Sequence, residues 1–303
     1  MLAALRRSGV RLTTLPMDRP PPAATLRALR PDVAIVDTIA APTAMPIIRA
    51  LRASGARIVT LALMRQGAAQ LARDSDRVIA VSEALARELR AAGIPRKRIE
   101  VIAPGTSRVS RPHRARVASS RSSVRDVRVL CVANWTRAKG IHTLVAAARR
   151  VPEVSLDLVG DETDTAYARA IRAQIAHLGL AGRVRVHGPL TGARLAAMYR
   201  AAAIFALPST LESYGMALSD ALARGLPVVA CDIPATREVA RGAALSVPPR
   251  RVRPLAAALR SLATDDRRRE ALARRARARA RTLPTWERSE RQLVRALLKR
   301  HGG

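Results

Sequence analysis

Aromatic side chains are nearly absent from this 303-residue sequence: two Trp, three Tyr and one Phe make up 2% of the chain. Proteins that hold single-stranded nucleic acid stack its bases on aromatic platforms, so nucleic acid is a disfavoured partner despite a formal net charge of +31. Acids are scarce too, 23 against 54 basic residues, and of the basic residues only Lys97, Lys139 and Lys299 are lysine. An arginine excess with lysine almost missing is what a GC-rich coding bias produces, so part of the charge is compositional. For the remainder, peripheral contact with an anionic membrane is a better fit than nucleic acid. The two cysteines, Cys131 and Cys231, both fall in apolar strand-like runs and provide neither a disulfide framework nor a zinc set. His142, His177 and His187 lack metal-ligand spacing, and Asp161, Glu162 and Asp164 match a metal cluster only loosely, so neither metal nor cofactor is expected. No apolar run reaches the length of a membrane span, and residues 1–15 lack both an uninterrupted apolar core and a small-residue cleavage site. The protein is therefore expected in the cytoplasm, with a peripheral position on the inner face of the membrane left open. No strand-like run is followed by GxGxxG and an acid some twenty residues on, which disfavours a nicotinamide-dependent dehydrogenase.

What the chain does contain is apolar residues, 49% of it, enough for two real cores. From residue 127 short apolar runs alternate with helical periodicity: VRVLCVAN, the polar loop WTRAKG, then IHTLVAAARR; LDLVGDE then AYARAIRAQIAHLGL; RVRVHGP then ARLAAMYRAAA; and IFALPS. Such alternation predicts a doubly wound parallel sheet with ligands at the carboxyl ends of its strands. The densest segment is residues 208–232, PSTLESYGMALSDALARGLPVVACD, where an apolar strand ends in a turn carrying Glu212 and Tyr214-Gly215-Met216 opens a helix running to Ala223. A helix start presents unpaired N–H groups and partial positive charge, and glycine lets an anion approach the backbone. A diphosphate fits that description. Glu212 and Asp220 would flank it, and carboxylates beside a phosphate belong to neighbouring sugar or ribose hydroxyls.

Glu212, seven intervening residues and the acid Asp220, with Tyr214-Gly215 just after the first, resemble the signature of the family 4 glycosyltransferases, retaining enzymes of the GT-B fold. The resemblance spans about residues 76–300. It implies an α/β protein of GT-B architecture, two Rossmann-like parallel-sheet domains with the cleft between them. It also implies transfer of a hexose from a nucleoside-diphosphate sugar, with retention, to a hydroxyl acceptor on a glycan, lipid or small molecule. Carried over residue by residue, Glu212 and Lys139 are the catalytic pair, Glu212 on the donor sugar and Lys139 of the Lys-Gly loop on the diphosphate. Asn134, Arg137, Lys139, Glu212, Ser213, Tyr214, Gly215, Met216 and Asp220 form the donor site, with Asp220 on the ribose. Two positions depart from the family pattern: Asp220 stands where Glu is usual, and Asn134 where an Arg is usual, with Arg137 as substitute. The alternative reading is a degenerate, non-catalytic nucleotide-sugar or partner-binding protein.

The first half repeats the α/β pattern, with strands expected at RLTTL, DVAIVD, RIVTLAL, RVIAVS and IEVIAPG, and helices at TLRALR, AMPIIRALRASG and EALARELRAAG. The resembling family opens with a strand and a glycine-rich loop that nothing before Arg11 supplies. The N-terminal domain is thus expected to be incomplete, the chain being either a fragment or a member that has lost part of its acceptor side. The expected organisation is an acceptor-side domain over residues 1–107, a Ser/Arg-rich linker over 108–126, a donor domain over 127–284 and, over 285–303, an amphipathic helix crossing back to the first domain. The highly basic helix DDRRREALARRARARART is expected to show a solvated face on the donor domain.

Overall fold

The computed structural model describes residues 11, 13, 22–38, 41–106 and 126–299. The strand expected at RLTTL, apart from Arg11 and Thr13, and the linker, apart from Asp126, lie outside the described residues. Two compact units emerge, one of Met1–Gly105 with Pro284–Gly303, the other of Thr106–Leu283.

The first unit runs α1 (Ala23–Ala28), β1 (Val33–Asp37), α2 (Ala41–Ala53), β2 (Arg57–Ala62), α3 (Ala68–Arg73), β3 (Arg77–Ala80), α4 (Glu83–Ala91) and β4 (Ile99–Val101). Its strands pair in parallel in the order β1-β2-β3-β4. β-Branched runs such as RIVTLA become strands because both faces are covered, so apolar residues need not alternate with polar ones. α4 starts where Ser82 accepts a hydrogen bond from Leu85 N at 3.0 Å and stops at Gly93, whose φ of 88° a helix cannot continue.

The second unit comprises β5 (Val127–Val132), α5 (Ile141–Arg149), β6 (Val154–Val159), α6 (Thr165–His177), β7 (Val184–Val186), α7 (Gly192–Ala201), β8 (Ile204–Leu207), α8 (Met216–Ala223), β9 (Val228–Cys231), α9 (Pro234–Ala240), β10 (Leu245–Val247), α10 (Val252–Thr264) and α11 (Asp266–Ala280). All its strands are parallel, in the order β10-β9-β8-β5-β6-β7. One face of the sheet packs Val127, Val129, Leu156, Leu158, Ile204 and Val229 against Leu144 of α5, Ile171 of α6 and Leu259 of α10. Cys131 and Cys231 are buried, and Cys131 belongs to this core as a small hydrophobe. The basic helix α11 buries Leu272, Ala273 and Ala276 and turns Arg267 and Arg268 to solvent. Its Arg269 is 3% exposed and bonds the Leu262 carbonyl at 2.7 Å, tying α11 to the end of α10.

The chain closes with α12 (Trp286–Leu298), part of the first unit. Leu293, Ala296 and Leu297 join Val59, Leu61, Ile79 and Ile102 in one apolar cluster. Ser289 Oγ donates to the Ala103 carbonyl at 2.7 Å, and a Cβ on Gly105 would stand 2.2 Å from Trp286 N. Among the described residues no helix is long and apolar enough to cross a membrane.

Candidate functional site

In the second sheet the chain leaves β5 toward β6 and β7 on one side, and later fills the other side with β8, β9 and β10. Helices on either side of such a reversal diverge, opening a crevice beyond the carboxyl ends of the two central strands. β5 and β8 are those strands. The segment after β5 carries Asn134, Arg137 and Lys139; the segment after β8 carries Glu212, Ser213, Tyr214 and Gly215.

Close backbone contacts hold the two segments together. Thr210 N and Oγ1 both donate to the Ala138 carbonyl, at 2.7 and 3.2 Å. Gly140, at φ 68°, lies so near the other segment that a Cβ would stand 2.3 Å from the Pro208 carbonyl oxygen. The expected WTRAKG loop contains a single 3-10 turn, Arg137–Lys139, and its Trp135 is 1% exposed, with its N–H donating to the Asp161 carbonyl at 2.7 Å. This register leaves Lys139 Nζ 2.8 Å from Glu212 Oε1, with the lysine side chain 26% exposed and the glutamate 10%. Two residues 73 positions apart thus form the one ion pair that links the segments, among the described residues.

Two helix starts face this region. α5 begins at Gly140, and α8 at Gly215, whose φ of 97° suits glycine. The first helical bond of α8 runs from Ser219 N to Gly215 O, so the N–H groups of Met216, Ala217 and Leu218 precede it. In α5 one such group is already used: His142 N donates to the Tyr167 hydroxyl at 3.2 Å, and that oxygen lies 2.8 Å from His142 Nδ1. Burial, followed by the charges of Arg137 and Arg250, pulls the imidazole below its ordinary value, so a neutral ring joins α5 to α6. His187 is also engaged, with Nε2 2.7 Å from the buried Asp157.

The nine residues expected at a donor site fall into distinct settings. Asn134 and Arg137 are exposed, Lys139, Glu212 and Ser213 are half-buried, and Met216 is 49% exposed at the start of α8. Tyr214 points inward instead, 5% exposed, and burial pushes its phenol up to about 12 with Arg279 and Glu238 nearby. Only its backbone is available to a ligand. Asp220, half-buried on α8, is raised by burial against the opposing pull of Arg224, whose NH1 lies 3.4 Å from Oδ1. Arg224 in turn sits 4.5 Å over the Tyr199 ring. Neither Arg224 nor Tyr199 stood out in the sequence, although the four-residue spacing from Asp220 to Arg224 on a helix was a signal available there. Asp161, Glu162 and Asp164 do not converge: Asp164 caps α6 through Tyr167 N, and Glu162 pairs with Arg172. No group of metal-binding side chains occurs among the described residues.

Residues 115–279 match the family of glycosyl transferases group 1, and residues 9–108 match Glycosyltransferase Family 4. Two relatives called D-inositol 3-phosphate glycosyltransferase align well. The protein from Xylanimonas cellulosilytica is 34% identical over 229 residues, 71% of this chain and 55% of its own length. That from Rhodococcus jostii is 32% identical over 222 residues, 68% of this chain and 49% of its own. The chain therefore spans about half the length of these curated relatives. Among solved structures, Anabaena Alr3699/HepE in complex with UDP-glucose superposes with a TM-score of 0.78 at 19% identity, covering 98% of this chain and 88% of that one. Sucrose-phosphate synthase from Thermosynechococcus elongatus gives 0.76 at 21% identity, covering 90% and 76%. Such structures carry the fold, which is GT-B, two parallel-sheet α/β units.

Proposed function

Since this chain belongs to the glycosyl transferases group 1 of the GT-B fold, we propose that it moves a hexose from a nucleoside-diphosphate sugar to a hydroxyl acceptor with retention of anomeric configuration. The observation that carries this reading is the Lys139–Glu212 pair, 2.8 Å apart at the switch of a parallel sheet. An ammonium and a carboxylate side by side match a donor whose diphosphate is anionic and whose sugar offers hydroxyls.

In this scheme Glu212 accepts hydrogen bonds from sugar hydroxyls and Asp220 from the ribose. Lys139, Arg137 and the amides that open α8 stabilise charge on the departing diphosphate, the largest electrostatic demand of the reaction. The anomeric carbon–phosphate oxygen bond breaks as the acceptor oxygen bonds the same face. The acceptor's proton passes to the departing phosphate oxygen, so no protein base and no metal is required. The UDP-glucose bound by Alr3699/HepE supports a uridine diphosphate donor. The relatives' name, D-inositol 3-phosphate glycosyltransferase, supports a phosphorylated polyol acceptor, which suits a chain of net charge +31. The same charge supports a cytoplasmic protein resting on the anionic inner face of a membrane.

The test is Glu212→Ala. It should abolish transfer of the sugar while UDP still binds, as read by product formation and by calorimetry on the same preparation. Equal transfer by variant and parent would remove Glu212 from the site.

A further inference from the structure

Asp220 is one methylene shorter than the glutamate its position resembles, and it emerges from a half-buried stretch of α8. A short carboxylate in such a place needs help with both aim and charge. Arg224, one helical turn on, supplies contacts suited to each. Its NH1 donates to the Asp220 carbonyl at 2.9 Å and lies 3.4 Å from Asp220 Oδ1. The guanidinium cannot swing away freely, because it is 17% exposed and rests 4.5 Å above the Tyr199 ring. Tyr199 is itself immobile: it is 1% exposed, stacks on Phe205 with ring centroids 5.8 Å apart, and reaches the Ala217 carbonyl at 3.3 Å through its hydroxyl. Helix α7, strand β8 and helix α8 thus converge on one arginine.

Building on the reading that Asp220 binds ribose hydroxyls, we propose that Arg224, seated on Tyr199, is the positioning residue that fixes the Asp220 carboxylate for the donor's ribose. Burial favours the neutral acid at Asp220, and Arg224 is the charge that opposes it. The other titratable neighbours do not compete near neutral pH. Tyr199 on α7 and Tyr214 before α8 are both pushed up by burial. On α11, Arg277 packs against Gly225 and pairs with Glu270, and Arg279 bonds the Val239 and Glu238 carbonyls from across α8. Without Arg224 the carboxyl would keep its proton to higher pH. A protonated acid is a poorer acceptor for two hydroxyls, so the variant's ribose binding would depend on pH up to higher values than the parent's.

The experiment is calorimetry on the full chain with UDP, and with a UDP analogue lacking both ribose hydroxyls, at about pH 5.5 and about pH 8. Losing the opposing positive charge favours the neutral acid, so Arg224→Gln should bind UDP at least about three-fold more weakly than the parent at the lower pH and recover to within that margin at the higher. The analogue should show no such difference. Tyr199→Leu, which removes the platform, should reproduce the shift, and Tyr199→Phe, which keeps the ring, should not. Arg224→Lys, a compact charge without the planar fork, should fall between and serves as the variant if the glutamine form folds poorly. Asp220→Asn separates the two levels of the argument. If it binds UDP as the parent does, the ribose reading itself fails. If it weakens UDP while Arg224→Gln keeps the parent's affinity at both pH values, or loses it equally at both and for both ligands, the positioning role is overturned.

Discussion

Replacing Glu212 by glutamine should tighten the binding of bare UDP even as it destroys transfer. Lys139 Nζ is held 2.8 Å from Glu212 Oε1, and the two side chains are 26% and 10% exposed. Exposed ion pairs contribute about 0.2–1 kcal/mol, and hydrogen bonds to charged groups about 1.5–3 kcal/mol. This pair, half shielded, lies between them at about 1–2 kcal/mol. A diphosphate that recruits Lys139 must draw it from that carboxylate and sit beside the remaining negative charge. Removing the charge while keeping the shape lifts both costs, so UDP should bind Glu212→Gln about three- to ten-fold more tightly, each factor of ten being about 1.4 kcal/mol. Lys139→Ala should act oppositely, weakening UDP roughly ten- to a hundred-fold by loss of a charge-assisted contact. Because Glu212 then stands uncompensated beside the phosphates, the double variant should bind better than Lys139→Ala alone. Isothermal titration of the four proteins closes the cycle. Single effects that sum to the double within about 0.5 kcal/mol, the behaviour of independent sites, would refute the competition between carboxylate and diphosphate for Lys139.

Glycine substitutions should separate close approach from mere backbone freedom. A Cβ on Gly140 would meet the Pro208 carbonyl oxygen at 2.3 Å, and one on Gly160 the Ala133 oxygen at 1.8 Å, whereas Gly179 has open space. All three alanine variants incur the left-handed cost of about 1–2 kcal/mol where φ is near +65° or stricter, but urea unfolding should show Gly140→Ala and Gly160→Ala destabilised well beyond Gly179→Ala. Equal losses would mean the segments are not pinned. Burial pushes the Cys131 thiol up to about 12 and Cys231 up to about 11, so iodoacetamide at pH 8 should spare both in the native protein and label both in guanidinium. Arg183 NH1 donates to the carbonyls of Val151 and Val154 at 3.0 and 2.9 Å; Arg183→Met should cost about 1–3 kcal/mol of stability by removing this donor from both, read from the urea midpoint.

Local pattern was enough for much of this protein. Largely apolar runs such as VRVLCV and SLDLV become parallel strands because helices cover their faces, and the alternation with helical periodicity was visible without any long-range information. Glu212, Gly215 and Asp220 were legible for the same reason: a turn, a helix start and a position on that helix depend on residues within two turns of each other. Four elements escaped notice, α3, α9, β10 and α10. The three helices draw on Ala, Arg and Pro, which in a chain so rich in alanine and arginine mark no boundary, β10 is only the three residues Leu245–Val247, and their formation rests on packing. α10 buries Leu255, Leu259 and Leu262 against strands from elsewhere in the chain.

Other features could be settled only by the tertiary structure. That Lys139 meets Glu212 depends on β8 lying beside β5 rather than beside β7, its predecessor in the chain. That Tyr214 turns inward depends on α11 packing behind α8 to bring Arg279 near. That Arg224 is held at Asp220 depends on a ring carried by α7. Periodicity is decided within a few residues of chain, so the sequence alone determined the strongly patterned strands and helices and the site residues that stand at their ends. Strand order and the side-chain pairs it creates are decided by hydrogen bonds and burial between segments far apart, and for those only the folded chain holds the information.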